Sequence, residues 1–331
     1  MQQSLNDIGK RSDVFLLEYL NEVGITNISR NFLQKNWSDF FMINQKQVKP
    51  SYKIRKHDII SVDIDTLQKI FLSQNSSGEL KGQKENLDIM YEDGNCLVIN
   101  KKSGVVVHPG DGNTENTLAN YVKGYLEEKG EFDKNVFRGG VVHRLDKGVS
   151  GLIIFAKNLT TQKYFQKQFE QHKVQKIYLA KVNIKKEDSP LKKYIPEKEL
   201  NISEELKILE KNNFVCDEKW LKVDGYISRS VTNRIKMKFL KYKSGNAKSC
   251  LTYIKPLSKN SCLIKIESGR MHQIRASFEY LGAFIVGDTL YSSNSGAIPE
   301  RIELRSIMIS LHNVNGDILT IKLPYEEKKT T

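Results

Sequence analysis

The chain has 331 residues, of which 39% are hydrophobic and 27% charged, which is typical of a soluble globular protein with room for two domains. No stretch approaches the roughly 20 apolar residues that span a bilayer, and the N-terminus MQQSLNDIGKRSD lacks the apolar core of a signal peptide, so we expect a cytoplasmic protein without a membrane segment. Lys and Arg exceed Asp and Glu by 52 to 39, a net charge of +13 that favours nucleic acid as a partner.

The first predicted unit, residues 11–72, is a small domain of helices and a hairpin. An apolar run from Val14 to Val23 fits one helical face, and Ser29 is of a type that begins a second helix. Residues 41–48 alternate as a hairpin does, and residues 59–62 form a closing strand.

Seven basic residues and a single acidic one lie between positions 30 and 56 of this unit. The basic residues are Arg30, Lys35, Lys46, Lys49, Lys53, Arg55 and Lys56. Such clustering predicts phosphate contact, and a solvated charged face is the alternative. In its element order, and most specifically in VKPSYKIRKHDII, the unit resembles the alpha-L RNA-binding motif, the S4-like domain named after a ribosomal small-subunit protein.

A linker is predicted at residues 73–86, which hold two glycines and three serines but almost no apolar residue. Residues 87–327 combine many short strands with few helices, which favours an α+β fold with a mixed, mainly antiparallel sheet. Residues 185–222, rich in Lys and Glu, indicate an inserted helical or loop segment. The strands are predicted at 96–99, 105–107, 151–156, 177–182, 235–242, 249–255, 262–267 and 318–323, and the helices at 116–128, 161–172 and 272–281.

Four segments of this larger region carry polar residues beside apolar strands and glycines. They are KKSGVVVHPG (101–110), GGVVHRLDKGVSG (139–151), KIYLAKV (176–182) and SGRMHQIRASFEYLGAFIVGDTLY (268–291). The four cysteines are widely spaced and form no CxxC pair, so neither a disulfide framework nor a metal site is expected.

Asp146 is the residue in these segments best suited to chemistry. It follows Arg144 in a glycine-rich loop after a strand, and strand-end loops often carry function. Neighbouring guanidinium groups would keep its carboxylate ionised, which suits a nucleophile or base more than a general acid. From spacing alone, however, a structural ion pair is the more common meaning of such an Asp–Arg pair.

Together the four segments resemble the RluA family of pseudouridine synthases, in the family's own motif order, over about residues 87–291. The family's HRLD loop is matched by HRLDKGVSG, its K-x-Y-x-A strand by Lys176, Tyr178 and Ala180, and its GR-x-HQIR segment by GRMHQIR. The LG and GD pairs that follow, and the preceding VVHPG stretch, match as well. We therefore expect the pseudouridine synthase fold.

This resemblance implies an RNA isomerase, an intramolecular transferase that needs neither cofactor nor metal. Asp146 would act either as nucleophile at C1′ of the target uridine or as base at C2′. Tyr178 would stack on the uracil and help to remove the C5 proton, and Arg275 would pair with Asp146. Arg144 would help to flip the nucleotide out of its stack, with His143 among the RNA contacts. An alpha-L module ahead of such a domain suggests large-subunit ribosomal RNA as the substrate. The family resemblance itself suggests a monomeric enzyme.

Two departures from the family pattern leave a second hypothesis open. Val149 replaces the usual Thr of the loop, and residues 185–222 lengthen the chain between Tyr178 and Arg275. A catalytically decayed RNA-binding or ribosome-assembly factor could carry both changes. A glycoside hydrolase also acts at an anomeric carbon, but it would need two carboxylates flanking the bond, and the loop offers only Asp146.

Overall fold

A computed structural model of the chain describes residues 7–23, 25, 28–76, 80–110, 113–292 and 301–324. The chain divides into two compact units, Met1–Glu79 and Leu80–Thr331. None of the described helices is both long and apolar enough to cross a membrane.

In the described part of the first unit, three α-helices pack with a two-stranded antiparallel sheet. The elements are α1 (Ser12–Glu22), α2 (Arg30–Lys35), β1 (Phe41–Ile43), β2 (Ile60–Val62) and α3 (Ile64–Ser76). The predicted start of the second helix is confirmed, because the Ser29 side chain accepts a hydrogen bond from Phe32 N at 3.1 Å. Helix α3 was not predicted.

Helix α3 shortens the predicted linker at its N-terminal side. The helix begins where Asp63 caps Thr66 N at 2.9 Å, and it continues to Ser76. On the other side, Gln83 N donates to Asn120 O at 3.0 Å, so this segment is packed on the second unit. Residues 77–79 of the predicted linker lie outside the described residues.

The second unit is built on one large sheet, and its mixed, mainly antiparallel character is confirmed. Its strands are β3 (Ile89–Glu92), β4 (Cys96–Lys101), β5 (Ser150–Ala156), β6 (Gln175–Ile184), β7 (Leu221–Arg229), β8 (Met237–Leu240), β9 (Lys248–Ser258), β10 (Ser261–Ile266), β11 (Ala283–Ile285), β12 (Leu304–His312) and β13 (Ile318–Lys322). The order is β3-β4-β5-β12-β6-β10-β9-β7-β8, with β11 paired to β6 and β13 to β12. Only the β5–β12 pairing is parallel among these described strands.

Among the described residues, five α-helices accompany this sheet, and the three predicted ones are confirmed to within two residues. They are α4 (Leu118–Glu128), α5 (Leu159–Glu170), α6 (Ile202–Lys211), α7 (Gln273–Tyr280) and α8 (Thr289–Ser292). Alternate residues of the strands feed two separate apolar cores, as the pleat requires. Leu97 and Ile99 of β4 join one core, whereas Cys96 and Val98 join the other.

The predicted strand at 105–107 is wrong, because this segment forms a loop. The carbonyls of Val106 and Val107 accept hydrogen bonds from Leu118 N and Ala119 N at the start of α4, at 2.8 and 2.9 Å. They therefore cap a helix instead of joining a strand ladder. All four cysteines are free thiols, as their spacing indicated.

The predicted insertion contains a 3-10 helix, Pro190–Tyr194, followed by α6. Leu206 and Leu209 of α6 pack with Trp220 in the second apolar core. The insertion is therefore part of the folded unit and shares its core.

Candidate active site

The loop that carries Asp146 is held between two glycines at which a side chain would clash. A Cβ on Gly140 would lie 2.0 Å from the Ala156 carbonyl oxygen, and one on Gly151 would lie 2.1 Å from the Ser306 oxygen. Both glycines have positive φ, at +81° and +105°. The loop thus lies directly against β5 and β12.

Within this loop, the side chain of Val149 packs in the core, while its backbone N–H contacts the backbone of Asp146. Val149 N donates to Asp146 O at 3.0 Å, which closes the turn. The Val149 side chain is buried with Leu145 in the first apolar core. Replacement of the family's Thr by Val therefore suits the packing, and the backbone contact that positions Asp146 needs no side-chain hydroxyl.

Lys101 ties the loop to the end of β4. Its buried ammonium donates to the carbonyls of Lys102, Val105 and Lys147, at 2.9, 2.8 and 3.2 Å. Burial lowers the pKa of Lys101 to about 8, and the negative charge of Asp146 partly opposes this shift. The lysine therefore joins two loops beside the carboxylate.

Tyr178 lies on β6 and faces the same core as the Asp146 loop. Its strand neighbours Ile177 and Leu179 belong to the other core, as strand alternation predicted. Tyr178 is paired in register with Ser306 of β12, which in turn is paired with Gly151. Burial, followed by the charge of Asp146, raises the pKa of Tyr178 above its ordinary value, so the phenol is neutral at physiological pH.

The turn before α7 is fixed by Gln273, whose side chain is buried and fully used. Its Oε1 accepts from Ser268 Oγ at 2.7 Å and from Arg270 N at 3.1 Å. Its Nε2 donates to Leu251 O and to Thr252 Oγ1, each at 3.0 Å. Two of these hydrogen bonds anchor the first turn of α7 to β9, and the other two fix the turn that precedes the helix.

Two residues further along the helix, Arg275 links two carboxylates. Its Nε and Nη2 donate to the two oxygens of Asp288 at 2.7 and 2.8 Å, and its Nη1 donates to Asp146 Oδ2 at 3.2 Å. The Asp288 side chain is completely buried, while that of Asp146 is 21% exposed. Burial lowers the pKa of Arg275, but the hydrogen bonds that the guanidinium donates to Asp288 outweigh this effect. The pKa is therefore raised above its ordinary value.

Asp146, Tyr178 and Arg275 line one cavity of about 70 Å³, together with the apolar residues Leu145, Val149 and Ile266. Its polar lining residues are Arg144, Asp146, Tyr178, Arg270, His272, Gln273 and Arg275. A larger cavity of about 140 Å³ beside β4 and α4 contains none of them. Within the described part of the chain, Oδ1 of Asp146 accepts no hydrogen bond, so one carboxylate oxygen is available to a ligand in the smaller cavity.

A family model described as RNA pseudouridylate synthase matches residues 95–280 of the chain. The chain is 30% identical over 280 residues to the ribosomal large subunit pseudouridine synthase D of Zymomonas mobilis, covering 82% of this chain and 75% of that protein. The chain belongs to the RNA pseudouridylate synthase family. The resemblance to the RluA family and the expectation of an isomerase are thereby confirmed.

A second relative in this family is the ribosomal large subunit pseudouridine synthase D of Borreliella burgdorferi, which is 29% identical over 232 residues. That match covers 70% of this chain and 60% of the relative's length. The human RNA pseudouridylate synthase domain containing 1 and 4 structures superpose with TM-scores of 0.51 and 0.50, at 22% and 18% identity. They cover 74% and 79% of this chain and 85% and 93% of their own, and they confirm the predicted pseudouridine synthase fold.

Two further predicted residues of the synthase loop differ in their surroundings. Arg144 is exposed at the cavity, so its guanidinium is accessible to a ligand. His143 stacks on Phe169, with ring centroids 4.7 Å apart, and its Nε2 accepts a hydrogen bond from Ile154 N at 3.0 Å. Burial, followed by the nearby charge of Lys176, lowers the pKa of His143 to about 3. This geometry supports a loop-shaping role for His143 and does not support the predicted RNA contact.

The seven predicted basic residues of the first unit are all exposed. Arg30 differs from the others because it is held by the fully buried Asp13, to which its Nε and Nη2 donate at 3.0 and 3.1 Å. Arg11 donates to the same carboxylate at 3.1 and 3.0 Å. In the described ranges, none of the five lysines of the set forms an ion pair, so their charges are available to a polyanion.

Asp288 and Lys101 support the candidate site from outside its cavity and were not predicted to do so. Asp288 stood in a matched motif, but no local pattern indicated that it would share Arg275 with Asp146. Lys101 was one of two consecutive lysines after a strand, and such lysines are usually exposed. Its position as the last residue of a buried apolar strand was the signal that could have identified it.

Proposed function

We propose that the chain converts specific uridines of RNA to pseudouridine, with Asp146 as the catalytic carboxylate. The observation that carries this proposal is the contact between Asp146 and Arg275 in a cavity that also contains Tyr178. These are the three groups that the reaction needs, and they come from three separate segments of the sequence.

The reaction is an isomerisation whose atoms balance without a cofactor. The N1–C1′ bond of the uridine breaks, the uracil turns, and C5 bonds to C1′. C5 loses its proton and N1 gains one. Asp146 acts at C1′ or C2′ through the oxygen that faces the cavity, while Arg275 holds the other oxygen. Since C5 loses its hydrogen, RNA carrying tritium at uridine C5 should release tritium to water when incubated with the protein.

Tyr178 is proposed to stack on the uracil and to take part in removing the C5 proton. We expect Tyr178→Phe to slow isomerisation by about 10²- to 10⁴-fold with little change in RNA affinity, because the ring remains and the hydroxyl is lost. Tyr178→Leu should also weaken RNA binding, because stacking is lost. Tritium release and filter binding measure the two effects, and an unchanged rate for Tyr178→Phe would limit Tyr178 to stacking.

The first unit is proposed to be an alpha-L-like RNA-binding domain, residues 11–72, connected to a catalytic domain that extends to residue 327. Its exposed lysines and the arginines held by Asp13 provide the phosphate-binding surface. Residues 325–327 lie outside the described residues. Large-subunit ribosomal RNA is the proposed substrate, because the names of the two relatives described above specify the ribosomal large subunit. We accordingly propose a cytoplasmic enzyme that acts as a monomer.

The salt dependence of RNA binding tests this surface. Replacing Lys46, Lys49 and Lys53 together by Gln should reduce the slope of log affinity against log salt by about 2, because fewer counterions are released. The isomerisation step itself should be unaffected once RNA is saturating. Fluorescence anisotropy with labelled ribosomal RNA fragments at several salt concentrations measures the slope.

A matched control removes the same charge from another surface. Lys207, Lys211 and Lys219 are exposed lysines near and on α6, and their replacement by Gln should leave the slope nearly unchanged. Equal effects of the two triple variants would mean that net charge alone governs binding, and the proposed RNA-binding domain would lose its support.

The alternative functions fit the site less well. A decayed factor would have no need to keep Asp146, Arg275 and Tyr178 in one cavity. A glycoside hydrolase needs a second carboxylate able to protonate a leaving group. Asp288 is the nearest candidate, but it is buried and bound through both oxygens to Arg275.

A further inference from the structure

His272 presents one nitrogen of its ring to the cavity beside Asp146. It precedes α7 with a left-handed backbone, at φ +53°, and its side chain is 8% exposed. Its Nδ1 lies 3.2 Å from the Tyr291 hydroxyl, and its Nε2 lies 3.7 Å from Asp146 Oδ2. Within the described part of the chain, Nε2 makes no hydrogen bond.

The contacts of Tyr291 determine which ring nitrogen carries the proton. Its hydroxyl donates to Met237 O at 2.9 Å, and the same oxygen accepts from Met237 N at 3.0 Å. A phenol has a single proton to donate, and the contact with Met237 O is the shorter one. Tyr291 therefore accepts from His272, so Nδ1 carries the proton and Nε2 has a free lone pair.

The distance to Asp146 agrees with this tautomer. An N–H directed at a carboxylate forms a charge-assisted bond of about 2.7–2.9 Å. The separation of 3.7 Å is longer than such a bond, so Nε2 does not direct a proton at Asp146. Burial lowers the pKa of His272 to about 4, despite the opposing effect of Asp146, so the ring is neutral at physiological pH.

We propose that Nε2 of His272 accepts a hydrogen bond from the 2′-hydroxyl of the target ribose. The inference rests on the proposed function, because a carboxylate acting at C1′ or C2′ lies beside this hydroxyl. Inside an RNA chain, O3′ and O5′ carry phosphates, so the 2′-hydroxyl is the donor that the sugar offers. The contact selects ribose over deoxyribose, and it keeps the 2′-hydroxyl from donating a hydrogen bond to the Asp146 carboxylate instead.

Two substitutions distinguish the roles of the two ring nitrogens of His272. His272→Asn keeps a side-chain N–H near the position of Nδ1, tolerates the left-handed backbone, and removes the acceptor at Nε2. His272→Gln extends an amide oxygen towards the position of Nε2 but loses the contact with Tyr291. The Asn variant should therefore lose the ribose contact, and the Gln variant should retain part of it.

The experiment compares two RNAs that differ only in uridine or 2′-deoxyuridine at the target position. His272→Asn should lower kcat/KM for the uridine RNA by about tenfold and for the deoxyuridine RNA by no more than about twofold. On the uridine RNA, the kcat/KM of His272→Gln should lie between those of the wild-type protein and of His272→Asn. Equal losses on both RNAs would overturn the inference, because His272 would then act on the fold or on Asp146.

Binding measurements extend the test to a deoxyuridine target that is not converted. In an Asp146→Asn background, which prevents turnover, adding His272→Asn should raise the Kd of the uridine RNA by about tenfold and leave that of the deoxyuridine RNA unchanged. Equal changes in Kd for the two RNAs would again overturn the inference. A wild-type protein that converts no uridine in any RNA would instead overturn the proposed function itself.

Discussion

Asp146→Asn is expected to abolish pseudouridine formation, lowering the rate at saturating RNA by at least about 10³-fold. The amide keeps the size of the side chain and the oxygen that accepts from Arg275. It lacks the negative charge that attack at C1′ or deprotonation at C2′ requires. Tritium release from RNA labelled at uridine C5, under single-turnover conditions, measures this loss directly.

The same substitution at an exposed carboxylate provides the control. Asp188→Asn changes net charge equally at an exposed turn and should retain full activity. RNA affinity and the unfolding midpoint of Asp146→Asn should remain close to wild type, so that the loss is assigned to chemistry. An Asp146→Asn enzyme with more than about a tenth of the wild-type rate would refute the catalytic assignment.

Arg275→Met is expected to lose both activity and stability. It leaves the completely buried Asp288 without its bidentate partner, and an uncompensated buried charge costs about 3–5 kcal/mol of unfolding free energy. It also removes the guanidinium from Asp146, which should slow the reaction by at least about 10²-fold. Denaturant unfolding and tritium release measure the two effects separately.

A double variant distinguishes the two roles of Arg275. Asp288→Asn removes the buried charge and keeps the side-chain oxygen that accepts from Tyr291 N at 3.3 Å. Combined with Arg275→Met, it should recover most of the lost stability while the activity stays low. A double variant that is no more stable than Arg275→Met would show that the buried charge of Asp288 is not the cause of the destabilisation.

Local sequence patterns predicted the helices and strands that are marked by a periodic pattern of apolar residues. The helices α4, α5 and α7 have clear apolar periodicity, and most predicted strands were found within two residues of their positions. The failure at residues 105–107 has a different origin. An apolar Val triplet has strand propensity, but its carbonyls cap α4, and that partner is ten or more residues away in the chain. Strand β12 was missed because its identity depends on its position between β5 and β6.

For the candidate site, too, the sequence predicted the residues that lie in motifs but not the contacts that depend on packing. Motif order identified Asp146, Tyr178 and Arg275, and the structure places all three at one cavity. The sequence could not show that Arg275 is shared by two carboxylates, because Asp288 meets it only when α7 and α8 pack together. Nor could it distinguish Arg144, which is exposed, from His143, whose ring nitrogen is already bonded to the backbone of β5.

The most direct measurement is a map of pseudouridine in ribosomal RNA from cells that express the wild-type protein, the Asp146→Asn variant or neither. Carbodiimide treatment followed by reverse transcription locates each modified uridine. We predict one or more sites in large-subunit ribosomal RNA that are present with the wild-type protein and absent in the other two strains. Identical maps from all three strains, or sites restored by the Asp146→Asn variant, would contradict the account.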